Sequence, residues 1–261
     1  MTTTSPLGES LESLDPFAPF QLGPITLRNR FIRAGANEGM CVAGAPSKAL
    51  LKHHRDMAAG GVGLTTVAYG AVSEVGRTLE NQIWLRPSIL PDLKALAQAV
   101  HDEGGRISFQ ITHGGSFVTS CKVQGATMSA SSGLNKAGLL RGNYWQRAMN
   151  EADMERVASE FVTAAQLCRE AGFDAVEIHM GHGYLLNQFI SPLSNKRKDA
   201  WGASAENRAR FPAEVLRRVK QAVGRDMAVL AKINVADGVP GGATVQDAIV
   251  TAKALQAAGA D

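Results

Sequence analysis

A chain of 261 residues is the length of one α/β barrel or of two small domains, and 45% hydrophobic with 20% charged residues describes an ordinary folded globular chain. A formal net charge of +3, with Lys and Arg scattered, argues against a nucleic-acid partner or a charged membrane-surface partner. No apolar run approaches ~18 residues, so nothing reads as a membrane span, and the Ser/Thr-rich start lacks the basic-then-apolar pattern of a signal peptide.

Residues 1–15 read as a flexible N-terminal segment and residues 16–261 as a single barrel domain. Phe17 to Leu27, with its prolines and glycine, suits a leading segment that covers the barrel bottom. A first strand is expected over Arg30 to Gly35, then a helix from Ser47, a good N-cap, to Ala59. Val62 to Ala68 reads as the second strand, Pro91 to Glu103 as the second helix, and Arg106 to Thr112 as the third strand. The polar stretch from Gly115 to Asn150 is too long for a plain connection and reads as a rim insertion or lid. A helix over Glu151 to Ala171 ends at Gly172, a suitable residue after a C-cap. Strands over Asp174 to His179 and Met227 to Asn234 are followed by helices over Glu206 to Val223 and Thr244 to Ala258, respectively.

Strands alternating with helices of this length predict a right-handed parallel α/β fold of the (β/α)8 TIM-barrel type. About five of the eight β/α units are expected in this chain, incomplete at the C-terminal end, which is read as a truncation or fragment. A partial barrel has open sheet edges, so a homo-oligomer or a completing polypeptide is expected as partner. Strand parity supports the assignment. Ser108, Gln110 and Thr112 share one face, as do Ala175, Glu177 and His179, and then Leu230, Lys232 and Asn234. The opposite faces are apolar and suit a helix layer.

The stretch from Asp174 to Gln188 concentrates the chemistry. His179 at a strand end, His182 and Tyr184 bring two imidazoles and a phenol to what would be the catalytic rim of a barrel. Two histidines at that spacing suit metal ligands, a structural hydrogen-bonded pair, or donors to a substrate oxygen. No other His, Cys or Asp cluster has persuasive metal spacing, so no metal site is assigned. Cys41, Cys121 and Cys168 are far apart and read as reduced thiols of a cytoplasmic protein.

The run from Asp174 to Asn187, with Ser191-Pro192, Asn195 to Asp199 and Glu206-Asn207-Arg208, resembles the Old Yellow Enzyme family. Asn29-Arg30-Phe31, Gly60 to Leu64, Gln110 and His113-Gly114-Gly115 extend the resemblance to the front of the chain. It implies an FMN-dependent NAD(P)H oxidoreductase of the ene-reductase type, passing hydride through FMN to an activated alkene such as an α,β-unsaturated carbonyl. In that reading His179 and His182 hold the carbonyl oxygen and Tyr184 supplies a proton. Gly35, Ala36, Asn37, Ala68, Gln110 and Lys232 contact the flavin. Asn37 departs from the Thr or Cys usual at its position, and Tyr69 is bulkier than the family pattern. An ion pair with Glu177 is the structural alternative for Lys232, and a rim or surface network is expected for Arg208 and Arg210. No phosphate loop occurs, because the family's phosphate anchor belongs to strands past Asp261. The alternative function is a non-catalytic or partner-dependent fragment that cannot hold FMN alone.

Overall fold

The computed structural model describes residues 15–118, 126–139 and 142–261. Residues 1–14, expected to be flexible, and Cys121 lie outside the described residues.

An antiparallel hairpin, β1 (Phe20–Leu22) and β2 (Ile25–Leu27), precedes the short strand β3 (Ile32–Arg33). A second hairpin, β4 (Cys41–Val42) and β5 (Ala45–Pro46), leads into α1 (Lys48–Ala59), β6 (Leu64–Ala71), α2 (Leu90–His101) and β7 (Arg106–Thr112). Three short strands follow, β8 (Thr127–Ser129), β9 (Gly133–Leu134) and β10 (Trp145–Ala148). The remaining elements are α3 (Glu151–Glu170), β11 (Ala175–Met180), α4 (Leu185–Ile190), α5 (Ala205–Val223), β12 (Ala228–Ile233) and α6 (Val245–Ala257).

Five strands form one parallel sheet in the order β12-β11-β7-β6-β3. Sequence neighbours are therefore spatial neighbours, with helical connections between them, as in part of a β/α barrel. Side-chain caps set the helix starts. Ser47 accepts from the Leu50 N–H, and Asn150 with Asp153 and Thr244 with Asp247 form reciprocal capping boxes. Gly172 (φ +88°) follows α3 in the left-handed region that a side chain disfavours.

The core lies between sheet and helices. In α3 the residues Val157, Phe161, Ala164, Ala165 and Cys168 are buried, a helical spacing that presents one apolar face to the sheet. Ile107, Phe109 and Ile111 of β7 and Val176 and Ile178 of β11 join the same cluster. Phe161 is fully buried, a burial that contributes roughly 1.5–3 kcal/mol, so Phe161→Ala would cost about 3–5 kcal/mol once the cavity is counted.

Leu22, Ile25 and Leu27 of the first hairpin pack on Leu64, Ala175 and Ala228, the first residues of three barrel strands. The leading segment thus closes the bottom of the sheet, as expected from sequence. At that same end Asp174 donates its N–H to the Ile107 carbonyl (3.0 Å), and its carboxylate accepts from the Ile107 N–H (2.9 Å). Asp261 repeats the device on Val229, at 3.0 Å and 2.8 Å, and pairs with Lys220. Both aspartates follow an Ala-Gly-X turn after a helix. Asp174 therefore sits at the far end of β11 from His179, although the two are close in sequence.

Three local differences from the sequence reading have physical causes. The first strand is two residues long because the Arg33 guanidinium turns to Glu38 (2.6 Å) and the Thr66 carbonyl (2.7 Å), and the chain leaves the sheet there. The second runs on to Ala71, past a register shift between Val67 and Gly70. The helix α4 was not expected from sequence; all six of its residues are buried, so no amphipathic period marks it. The rim insertion contains the sheet β8-β10-β9. No helix is long and apolar enough to cross a membrane among the described residues.

Candidate active site

The turn after β11 is built to hold two histidines. His182 (φ +55°) adopts a left-handed conformation that costs roughly 1 kcal/mol for a residue with a Cβ. It is held there from outside the turn. The His182 N–H donates to Asn234 Oδ1 (3.0 Å), the Gly183 N–H to Asn187 Oδ1 (2.9 Å), and the Leu185 N–H to the His113 carbonyl (2.9 Å). Gln188 Nε2 donates to the Gly183 carbonyl (2.6 Å), while its Oε1 accepts from the Ser116 N–H (3.2 Å). One glutamine thus ties the loop after β7 to the loop after β11.

His179 is buried, and the Gly181 N–H donates to its Nδ1 (3.2 Å). A nitrogen that accepts carries no proton in the neutral ring, so the proton resides on Nε2. That atom faces His182 Nδ1 at 3.2 Å. Burial, helped by the neighbouring His182 and Lys232, pushes the His179 pKa down to about 3. The ring is therefore a neutral N–H donor at physiological pH. Tyr184 meets His179 edge-on, with centroids 4.8 Å apart, and its hydroxyl donates to the Tyr69 hydroxyl (2.9 Å). Burial, reinforced by that bond, holds the Tyr184 phenol well above its ordinary range.

A second group of side chains lies on the adjacent strands. Register places Glu177 opposite Gln110 on β7 and His179 opposite Lys232 on β12. Gln110 Nε2 donates to Glu177 Oε1 (2.5 Å), and Lys232 Nζ donates to the Gly35 carbonyl (2.9 Å). The anticipated Lys232–Glu177 ion pair is thus not the one formed: the register gives Glu177 to Gln110 instead. A Cβ on Gly35 would lie 2.8 Å from Gln110 Nε2 and 3.2 Å from the Ala68 Cβ. Gly35, Ala68, Gln110 and Lys232 therefore converge from four strands or strand ends. Ala36 and Asn37 follow in the exposed loop, where Asn37 Oδ1 accepts from the Gly39 N–H (3.2 Å). Among the described residues, no group of three or more His, Cys, Asp or Glu is placed to hold a metal ion.

Some contributors had little sequence signal. Glu38 accepts from the Ala68 N–H (3.3 Å) and pairs with Arg33 (2.6 Å), pinning the Gly35 loop to the middle of β6. Burial alone would raise its carboxyl, but bonds to His54 and Arg33 bring it below the usual range. Burial also keeps the His54 imidazole below its ordinary value, so Arg33 is the lasting countercharge. In the sequence Tyr69 stands out only for its bulk, and Asn234 only for its strand face. Arg208, expected at a rim or on a surface, is buried and bridges the Ile190 carbonyl (2.8 Å), the Ala203 carbonyl (2.7 Å) and Asp247 (2.6 Å). Arg210 Nη2 donates to Asn207 Oδ1 (2.8 Å) in an exposed contact.

A family model described as the NADH:flavin oxidoreductase / NADH oxidase family matches residues 15–261. The chain is 40% identical over 245 residues to the 4,4'-dithiodibutanoate disulfide reductase of Rhodococcus erythropolis, covering 93% of this chain and 59% of that protein. A solved complex of 2-naphthoyl-CoA reductase with 2-naphthoyl-CoA matches with a TM-score of 0.85 and 28% identity, over 93% of this chain and 39% of that one. The Old Yellow Enzyme from Pichia sp. matches with a TM-score of 0.76 and 28% identity, over 85% of this chain and 60% of that one. The chain thus spans 59%, 39% and 60% of the lengths of these three, under two thirds in each case. The five-stranded sheet is part of a TIM barrel of the Old Yellow Enzyme type.

The donor set fits a flavin ring. Lys232 keeps two of its three N–H groups beyond the bond to Gly35, and the Gln110 amide both donates and accepts. Gly35 and Ala68 are small, and a Cβ on Gly35 would already reach the Gln110 amide.

Proposed function

The chain belongs to the NADH:flavin oxidoreductase / NADH oxidase family, whose cofactors are FMN and NAD(P)H, and we propose that it carries the flavin-ring and acceptor-binding residues of an alkene-reducing member. The observation that carries this reading is the facing pair His179 Nε2 and His182 Nδ1 at 3.2 Å, with His179 opposite Lys232 on the neighbouring strand. When bound, FMN supplies hydride drawn from NAD(P)H.

This chain's own residues supply position, charge and a proton. Lys232 and Gln110 hold the polar edge of the ring, and Gly35, Ala36, Asn37 and Ala68 line it. An α,β-unsaturated carbonyl places its oxygen at His179 Nε2–H, displacing the bond to His182. His182, whose Nδ1 accepts from His179 at rest, offers a second donor once its ring turns to present its other nitrogen. Imidazole N–H groups aimed at that oxygen stabilise the negative charge that grows on it as hydride reaches the β-carbon. Tyr184, held protonated by burial, gives its proton to the α-carbon. Reduced thiols at Cys41 and Cys168 suit a cytoplasmic setting.

A second acceptor class has support from the 40%-identical relative, named for reduction of an organic disulfide. There the same hydride would break an S–S bond and Tyr184 would protonate a leaving thiolate. The test is FMN titration of the purified chain by flavin fluorescence, followed by NAD(P)H consumption with an unsaturated ketone and with 4,4'-dithiodibutanoate. Saturable FMN binding with ketone turnover supports the first reading, and disulfide turnover alone favours the second. No FMN binding by the folded chain would overturn both.

A further inference from the structure

Tyr184 does not end the hydrogen-bonded chain at the site. Its hydroxyl meets Tyr69 Oη at 2.9 Å, Tyr69 Oη lies 2.8 Å from Thr78 Oγ1, and Thr78 Oγ1 lies 3.1 Å from Gln82 Oε1. The direction of this chain is determined at its far end. The Thr78 N–H donates to Gln82 Oε1 (2.6 Å) and Gln82 Nε2 donates to the Tyr69 carbonyl (3.3 Å), so the amide cannot be flipped. An amide oxygen only accepts, so the Thr78 hydroxyl donates to it. Each hydroxyl has one proton, so Tyr69 donates to Thr78 and Tyr184 to Tyr69. Beside this chain lies a small cavity lined by Asn37, Cys41, Tyr69, Leu79, Asn81 and Gln82. Asn37, Leu79 and Asn81 are exposed, so the cavity reaches solvent.

Resting on the alkene-reducing reading above, we propose that Tyr69 is the positioning residue for proton delivery and the route by which Tyr184 is reprotonated. At rest it holds the Tyr184 phenol in place. When the Tyr184 O–H bond breaks and a C–H bond forms on the acceptor, a phenolate is left in a buried site. Tyr69 turns its own O–H to that phenolate, a charge-assisted bond about twice as strong as the neutral one it replaces. Its proton then passes to Tyr184, and the Tyr69 oxygen takes one from solvent water through the cavity. One solvent proton is consumed per alkene reduced, and no electron moves along this chain.

Tyr69→Phe tests this, because it keeps the ring that packs 5.4 Å from Tyr184 and 6.3 Å from His179. The chain has three tyrosines and Tyr144 is exposed, so phenolate absorbance of the cofactor-free chain can be assigned with Tyr184→Phe as reference. The resting bond to Tyr69 favours the neutral Tyr184 phenol, but the phenolate once formed accepts the stronger bond from the turned Tyr69 O–H. The first ionisation of the Tyr69–Tyr184 pair should therefore lie about one pH unit below that of Tyr184 in Tyr69→Phe. In the FMN-loaded chain Tyr69→Phe should lower kcat for the unsaturated ketone about tenfold, with KM changed less than about twofold and a shifted alkaline limb. Thr78→Val should give a smaller loss in the same direction, and it carries the test if Tyr69→Phe does not fold. A Tyr184 ionisation that stays put or falls in Tyr69→Phe, or an unchanged kcat and pH profile, overturns the proposal. The titration needs neither cofactor nor acceptor. Coupled phenols without ketone turnover would therefore count against the proposed reaction and not against the coupling.

Discussion

Lys232 Nζ donates to the Gly35 carbonyl across 2.9 Å, joining β12 to the loop after β3 although 197 positions separate them. These strands are the two edges of the sheet, so the bond crosses its concave face at the end where His179 lies. Replacing the cation with Met should weaken FMN at least about tenfold, or about 1.4 kcal/mol. Loss of the bond to Gly35 should lower the stability of the cofactor-free chain by roughly 1 kcal/mol. Flavin fluorescence titration and urea unfolding read the two effects separately. Unaltered FMN affinity would remove Lys232 from the cofactor contacts.

Gly35→Ala tests the same place by volume. The added Cβ would sit 2.8 Å from Gln110 Nε2, so the amide must move and its bond to Glu177 must stretch. Overpacking of this kind costs typically about 1–3 kcal/mol. Both stability and FMN affinity should fall. A variant as stable as the parent would mean that the loop yields more easily than the contacts indicate.

Acid should destabilise the fold well above the carboxylate range. His113 and His179 are buried and titrate at about 3 when folded, against about 6.5 unfolded. A depressed pKa gives stability that is complete above the unfolded value and is lost as pH falls toward the folded one. Between pH 6.5 and 4.5 these two groups should produce a slope that steepens from about 1.4 to about 2.7 kcal/mol per pH unit. His54, also held down by burial, acts in the same sense. His101 acts oppositely, because its bond to Asp174 raises its pKa. That contribution is complete at low pH and is lost as pH rises through the raised value. Urea midpoints from pH 7 to 4.5 measure the sum, and His113→Gln should remove about half of the acid slope. A flat profile would show that the histidines open to solvent easily.

Arg208 is a buried support and not a surface charge. Its guanidinium serves two carbonyls and Asp247, so Arg208→Met should cost about 3–5 kcal/mol by leaving Asp247 and the carbonyls short of a partner. Arg208→Lys should recover little, because an ammonium cannot span three acceptors set at these angles. Chemical denaturation decides it, and a loss under about 1 kcal/mol in Arg208→Met would refute the assignment.

Where regular periodicity existed, the sequence reading came close. The third strand, Arg106–Thr112, matches residue for residue, and α3 and α5 are within one residue at each end. Caps and left-handed glycines act through atoms only a few positions away, so they are visible in one dimension. Helix α4 escaped because burial on every side erases the period, and β3 was overestimated because Arg33 is drawn out of the sheet by Glu38.

The candidate side chains were legible one by one, since strand parity and the His179-to-Tyr184 run need only local spacing. Which of them meet was not. From sequence Lys232 could meet either Glu177 or a ligand, and the register, which sets Lys232 opposite His179 and Glu177 opposite Gln110, decided for Gly35. Tyr69 reaches Tyr184, Glu38 reaches Ala68, and Gln188 reaches Ser116 across separate strands and loops. Periodicity, caps and motif spacing are short-range properties and determined the element order and the parallel sheet. Register, tautomer and the direction of the phenol chain depend on groups brought together by closure of the sheet, and only the tertiary structure decided them.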